Sequence, residues 1–210
     1  KEGIANMDKH LDNLLKFGQN VVVAFNRYGD DVEEEIDFVR QHCAELGIGF
    51  AVNNAFVEGG QGAVELANLV VKTIEENPSK DMNFAYADED AVNEKISKVA
   101  CNLYGAKMIT FSPTAKKKLA MIEELGYTHF PICIAKTQYS FSTNQKLINV
   151  PTNFDFHVQD IAMAYFTLTL SAGATSFELN SCTQGIEYLS NAASHASIVS
   201  LQAIPINSHL

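Results

Sequence analysis

No stretch of this 210-residue sequence approaches the ~20 consecutive apolar residues of a membrane-spanning helix. Its opening Lys-Glu-Gly-Ile carries no basic-then-apolar leader pattern. A membrane span and a secretory signal are therefore not expected, and the cytoplasm is the default compartment. The first residue is not Met, which fits an excised or processed piece of a longer chain. Basic side chains are scarce as well: 15 Lys and Arg stand against 25 Asp and Glu, a formal net charge of −10. That balance works against non-specific binding to nucleic acid or to an anionic membrane surface. The only basic run, Lys116 to Lys118, spreads around a helix and reads as a solvated face.

Cys43, Cys101, Cys133 and Cys182 lie far apart, with no pair at zinc-ligand spacing. They read as small hydrophobes, and a chain of this length needs no disulfide framework. The Gly-x-Ser-x-Gly elbow of serine hydrolases is missing, and none of the histidines falls in a recognisable motif. No catalytic residue and no metal-ligand set is singled out. What remains is 47% apolar and 19% charged, the composition of a folded globular chain.

The apolar pattern is one of alternating strands and helices. Ile4, Met7, Leu11, Leu14 and Leu15 recur at helical spacing and stop at Gly18. Residues 21–25 are a continuous apolar run, as expected of a strand buried on both faces of a parallel sheet. A helix follows from a cap at Asp31, through Ile36, Val39, Cys43 and Leu46, to Gly47. A second strand over 48–53 leads through glycines to a helix bearing Val64, Ala67, Val71 and Ile74, closed by Asn77-Pro78. Further strands are expected at 84–86, 108–111, 131–135 and 153–161. Helices are expected around Val92 to Leu103 and, from Ser112-Pro113, to Gly126. Strands separated by helices of roughly 12 to 16 residues make βα units. The fold class is α/β, a mostly parallel sheet with helices on both faces. From about Ala162 the chain becomes rich in Ser, Thr and Ala and its periodicity fades.

Ligands of open α/β sheets sit beyond the carboxyl ends of the strands. Three clusters occupy such places: Asn26-Arg27-Tyr28, residues 53–62, and residues 136–140. The loop Gly59-Gly60-Gln61-Gly62 offers backbone N–H groups to an anion at a helix start, or is simply a tight strand-to-helix turn. It lacks the Gly-Lys-Ser/Thr of a phosphate-binding loop. Lys136 at a strand end either meets an anionic group or snorkels to solvent. Tyr139 and Phe141 read as packing residues.

Three blocks give these clusters a context. The run from Asn20 to Ile36 reads Asn-Val-Val-Val-Ala-Phe-Asn-Arg-Tyr-Gly-Asp-Asp-Val-Glu-Glu-Glu-Ile. A second block is Gly59-Gly60-Gln61-Gly62-Ala63-Val64-Glu65-Leu66-Ala67. The third, from Pro131 to Ser142, reads Pro-Ile-Cys-Ile-Ala-Lys-Thr-Gln-Tyr-Ser-Phe-Ser. In this order they resemble blocks of the formate–tetrahydrofolate ligases, collinearly over about residues 1–161. The resemblance implies an α/β domain over 1–161, corresponding to the C-terminal, folate-side region of the family, and a divergent tail over 162–210. Leu170 to Ala174 echoes the family's Leu-Ser-Ala-Gly-Ala, but the Met-Pro-Gly-Leu-Pro expected after it does not follow.

Members of that family use ATP and magnesium to join formate to tetrahydrofolate through a formyl phosphate. The resemblance places the ATP phosphate loop in an N-terminal part with no counterpart here, so ATP and magnesium are not expected to bind this chain alone. It places a pterin-stacking aromatic pair on Tyr28 and Phe56, where the family commonly has Phe and Trp. Glu58 replaces a Lys frequent in the family. The two rings are expected to face each other across the strand ends, roughly 7 to 8 Å apart, to admit a ring between them. Asn26 and Gln138 are expected at the ring edge and Lys136 near the charged end of the ligand. Partners implied are a small-molecule folate and either further copies of the chain, as a homo-oligomer, or the N-terminal part of the family. The alternative is a non-catalytic, stand-alone binding or assembly module derived from such a ligase.

Overall fold

The computed structural model describes residues 3–78, 80–135, 140–164 and 167–171. These residues divide into two units, one made from 14–82 and the other from the described parts of 1–13 and 83–194.

In the unit of residues 14–82, the apolar run becomes β1 (Val22–Asn26), paired in parallel with β2 (Gly49–Asn53) in the register Val23↔Phe50 and Asn26↔Asn53. Between them runs α2 (Glu33–Glu45), with Ile36 and Cys43 fully buried. The crossover closes at Gly47, whose φ of 70° is the left-handed conformation that glycine reaches without a Cβ penalty. Beyond β2 the chain makes one helical turn, α3 (Ala55–Glu58), then a tighter 3-10 turn over Gly59–Ala63, and enters α4 (Val64–Glu76). α4 packs against β2, where Leu69 lies so close to Gly49 that a Cβ there would meet its Cδ1 at 3.0 Å. As expected, the helix stops at Asn77-Pro78.

One expectation here is corrected. Asp31 does not cap α2; the residue before that helix is Val32, which makes no side-chain cap. The Asp31 carboxylate instead accepts the backbone N–H of Tyr28 at 2.7 Å, closing the turn that carries Tyr28. A carboxylate three residues ahead serves either donor, and the nearer turn takes it.

The other unit holds most of the large buried side chains. β3 (Met108–Phe111) pairs in parallel with β5 (Asp155–Val158), with Ile109 opposite Phe156. α5 (Val92–Lys98) passes into a π-helical turn over Val99–Leu103 that ends at Gly105. α6 (Pro113–Glu124) starts at an N-cap in which Ser112 Oγ accepts the Ala115 N–H at 3.0 Å. Val92, Ile96, Ala100, Ala115, Ile122, Phe154, Phe156, Val158 and Ile161 form one continuous core. Tyr104 stacks on Phe156 with ring centres 5.7 Å apart, and burial pushes its phenol up to about 12. α1 (Ile4–Lys16) adds Leu11, and its Asn13 donates to the Leu103 carbonyl at 2.9 Å.

A second sheet of this unit joins β4 (Ile132–Ala135), β7 (Thr167–Ser171) and β6 (Asp160–Ala164) in that spatial order. β4 is parallel to β7, and β6 is antiparallel to it. The strand expected over 153–161 is thus two strands, broken at Gln159. The strand expected at 84–86 is absent: Phe84 is exposed in an extended loop, and Tyr86 uses its hydroxyl to accept the Ile132 N–H at 3.0 Å. An apolar triplet without a pairing partner does not make a strand. Lys95 is fully buried, its ammonium donating to the carbonyls of Thr128 and Phe130 at 2.9 and 3.2 Å. Cys43 is buried and Cys101 half-buried, both outside a disulfide, whereas Cys133 on β4 is disulfide-bonded, which its reading as a small hydrophobe did not anticipate.

Candidate functional site

β1 and β2 are parallel neighbours in register, so their carboxyl ends lie side by side and the residues following them emerge together. Arg27 extends the ladder by one bond, its N–H donating to the Asn53 carbonyl at 3.1 Å. The chain then turns at Tyr28. That residue's N–H donates to the Asp31 carboxylate at 2.7 Å, and the Asp31 N–H donates back to the Tyr28 carbonyl at 3.2 Å. The Arg27 guanidinium pairs with Glu33 at 2.6 Å on the first turn of α2. The Tyr28 side chain is held out from a doubly tied turn and is 47% exposed.

Phe56 sits on α3 and is 94% exposed. A large apolar ring that meets almost nothing in the described residues gains no burial energy, so the fold alone gives no reason for it. The turn beneath it is well determined. The Asn54 N–H donates to the Gly62 carbonyl at 3.0 Å, and the Glu58 N–H donates to the Asn54 carbonyl at 3.0 Å. The Asn54 amide also donates to the Glu58 carboxylate at 2.5 Å. Glu58 thus has a local partner within its own turn.

The glycine loop has a steric basis of its own. A Cβ on Gly62 would come within 2.5 Å of the Asn54 carbonyl oxygen, a distance real Cβ atoms do not reach. Gly59 holds φ at 61°, while a Cβ on Gly60 would meet open space. Gly59 and Gly62 are therefore required for the chain to fold back over Asn54.

Asn26 and Asn53, at facing register positions, are joined directly: the Asn53 amide donates to Asn26 Oδ1 at 2.8 Å. Asn53 Oδ1 in turn accepts the Ala55 N–H at 3.3 Å. The sequence places Asn53 and Asn54 in a strand-end cluster and Asp31 at a helix cap, but assigns a ligand role to Asn26 alone of these four. The adjacent asparagines at a strand end were the available signal, since Asn ties up backbone donors in turns. Asn26 ends β1 beside Asn53, and Tyr28, Phe56 and the glycine loop come just after the two strands. Lys136, Gln138 and Tyr139 lie outside the described residues. Phe141 is 1% exposed, with Tyr104 and His10 rings against it, and is a packing residue as expected. Among the described residues, no three His, Cys, Asp or Glu side chains gather as a metal site would require, and no helix is long and apolar enough to cross a membrane.

A family model described as formate–tetrahydrofolate ligase matches residues 1–175. The chain is 69% identical over 163 residues to the formate–tetrahydrofolate ligase of Phocaeicola vulgatus, covering 78% of this chain and 29% of that protein. It is 53% identical to the ligase of the same name in Bacteroides thetaiotaomicron over the same length and shares. Over 162 residues it is 51% identical to that of Campylobacter concisus, 77% of this chain and 29% of the relative. The chain spans under a third of the length of these relatives.

Proposed function

The chain belongs to the formate–tetrahydrofolate ligase family, and we propose that it contributes the folate side of that reaction. In this reading the β1–β2 strand ends receive the pterin ring, with Tyr28 and Phe56 supplying its stacking faces. Asn26 addresses the ring edge, and the resemblance adds Lys136 and Gln138, outside the described residues, as further folate-binding candidates. The glycine loop at Gly59, Gly60 and Gly62 lends backbone donors nearby. The observation that carries the reading is Phe56: a ring 94% exposed on a turn built by several hydrogen bonds. Stacking on a flat heterocycle would give that exposed ring a partner and is worth about 1 kcal/mol beyond the area it covers.

In this reading ATP and magnesium are held by another part of a family polypeptide, in the cytoplasm, and the phosphoryl step is completed there. Val64, Val71 and Ile74 are exposed along α4, which supports association with that part or with a second copy of the chain. The test is a titration of the chain with tetrahydrofolate. Binding is expected, and it should be lost when Tyr28→Ala and Phe56→Ala are combined. Binding that survives the double substitution would remove the folate assignment. Formate-dependent ADP release should appear only when a polypeptide carrying the phosphate loop is added, and a stand-alone module would show none even then.

A further inference from the structure

The hydrogen bonds at the end of the β1–β2 pair have a direction, and that direction determines what kind of atom the site offers. An asparagine amide has an acceptor end and a donor end, and its neighbours decide which way it lies. Asn53 is oriented by the backbone, because the Ala55 N–H points at one end of its amide at 3.3 Å. Only the oxygen can receive that bond; the opposite orientation would set a donor against a donor. Asn53 must therefore turn its NH2 toward Asn26, 2.8 Å away. Asn26 must answer with its oxygen, since it too would otherwise set donor against donor. The consequence falls on the remaining end of Asn26. Among the described residues its Nδ2 donates to no group, and it is not among the buried atoms left without a partner. Two N–H bonds thus face outward at the strand end, two residues before Tyr28 and beside the turn of Phe56.

We propose that Asn53 is a positioning residue that locks the Asn26 amide with its donor end outward, so that the site selects an acceptor edge of its ligand. The chemical class is a carbonyl oxygen or unprotonated ring nitrogen of a fused heterocyclic amide. Identifying that ligand as a folate rests on the reading above, whereas the orientation of the amide does not. Asn53 acts only through Asn26. The chain from the Ala55 N–H to Asn53 to Asn26 converts a fixed backbone donor into a fixed donor at the ligand edge.

The test has two arms on the full 210-residue chain. In the first, side-chain amide exchange is followed by NMR on 15N-labelled protein. The Asn53 amide protons should be slowed and those of Asn26 should exchange at the solvent rate. Asn53→Asp keeps the acceptor for Ala55 but replaces the donor by a second oxygen. Asn26 should then turn over, donate to the new carboxylate, and become slowed in its turn. Protected Asn26 protons in the unsubstituted chain, or the same exchange in both proteins, would overturn the proposal. In the second arm tetrahydrofolate is titrated. Asn26→Asp still accepts from Asn53 but has no donor left, and both it and Asn53→Asp should weaken binding about tenfold or more. If Asn53→Asp does not fold, Asn26→Asp and the unsubstituted spectrum decide the matter. An unsubstituted chain that takes up no tetrahydrofolate would defeat the folate reading while the amide spectrum still judged the orientation. Unchanged binding by both variants would defeat the orientation and leave the folate reading intact.

Discussion

The two units spend their apolar residues differently. The unit formed from 83–171 and the start of the chain buries Phe154, Phe156, Val158 and Ile161 in one core, ringed by Tyr104, Phe111 and Phe130. Among the described residues, the unit of 14–82 buries Val23, Ile36, Cys43 and Ala51 to a similar degree, and leaves Phe56, Val57, Val64 and Val71 exposed. Both contain a parallel pair of strands with helices packed against them. The difference lies in how much surface each covers within itself. Both leave other apolar side chains exposed, Phe84 and Ile148 in the first and Phe56 and Val57 in the second, but the first buries more of its large ones. The proposed ligand site lies on the less buried unit, where Tyr28 and Phe56 are displayed on tied turns rather than packed away.

The largest expected effect belongs to the well-packed unit. Phe156 is fully buried on β5, opposite Ile109 and stacked on Tyr104. Phe156→Ala leaves a cavity and should cost about 3–5 kcal/mol, measured as the shift of the denaturation midpoint. Hydrogen exchange should show the loss first in β3 and β5. A cost under about 1 kcal/mol would mean that this core is much looser than its burial implies.

Second is Gly62→Ala. The added methyl meets the Asn54 carbonyl and its carbon, which are backbone atoms and cannot swing aside. A cost of about 1–3 kcal/mol is expected, confined to amides of residues 49–76. Folate binding should weaken with it, because α3 moves with Asn54. An unchanged protein would show that the loop opens without penalty.

Ser112→Ala should remove about 1 kcal/mol by stripping the cap from α6. Val32, at the same place before α2, offers no cap, so Val32→Ser should return a similar or smaller amount. Together the pair tests whether helix starts contribute equally in the two units. A pH effect is expected in the first unit. Asp90 accepts from Lys98 at 2.5 Å and from the Ala87 N–H at 2.8 Å, and these hold its carboxyl below its ordinary 3.8. A carboxyl lowered on folding stabilises above its ordinary pKa, and that contribution fades as pH falls through the folded value. Asp90→Asn should therefore flatten the stability profile below about pH 4 and change its shape little above it.

The sequence shows the α/β alternation plainly because buried strands are continuous apolar runs and helices end at glycines with positive φ, here Gly18, Gly47, Gly105 and Gly126. It misleads where the same residue has two uses. Asp31 looks like a helix cap and closes the Tyr28 turn instead. Phe84 to Tyr86 has a strand's composition but pairs with no strand among the described residues. The positions of Tyr28 and Phe56 came from resemblance, since a lone exposed aromatic has no periodic signature. Asn53 stayed hidden because its meaning depends on a hydrogen bond across two strands, which no local pattern reveals.

The smallest stability effect expected is also the most informative about use. Phe56 is 94% exposed, so Phe56→Ala removes almost no buried area, and its turn is held by backbone and asparagine bonds that the substitution leaves in place. Folding stability should change by no more than about 0.5 kcal/mol. Alanine also has the higher helix propensity, so a slight gain is as acceptable as a slight loss. If the exposed ring serves a ligand, tetrahydrofolate binding should nevertheless weaken by about five- to tenfold, the worth of one aromatic stacking face. A large loss of stability would place the ring among the packing residues and erase the contrast between the two units. Unchanged stability with unchanged binding would leave an exposed phenylalanine without a ligand to serve, and would direct attention to the neighbouring Val57 and the apolar side chains of α4 as a protein-contact surface.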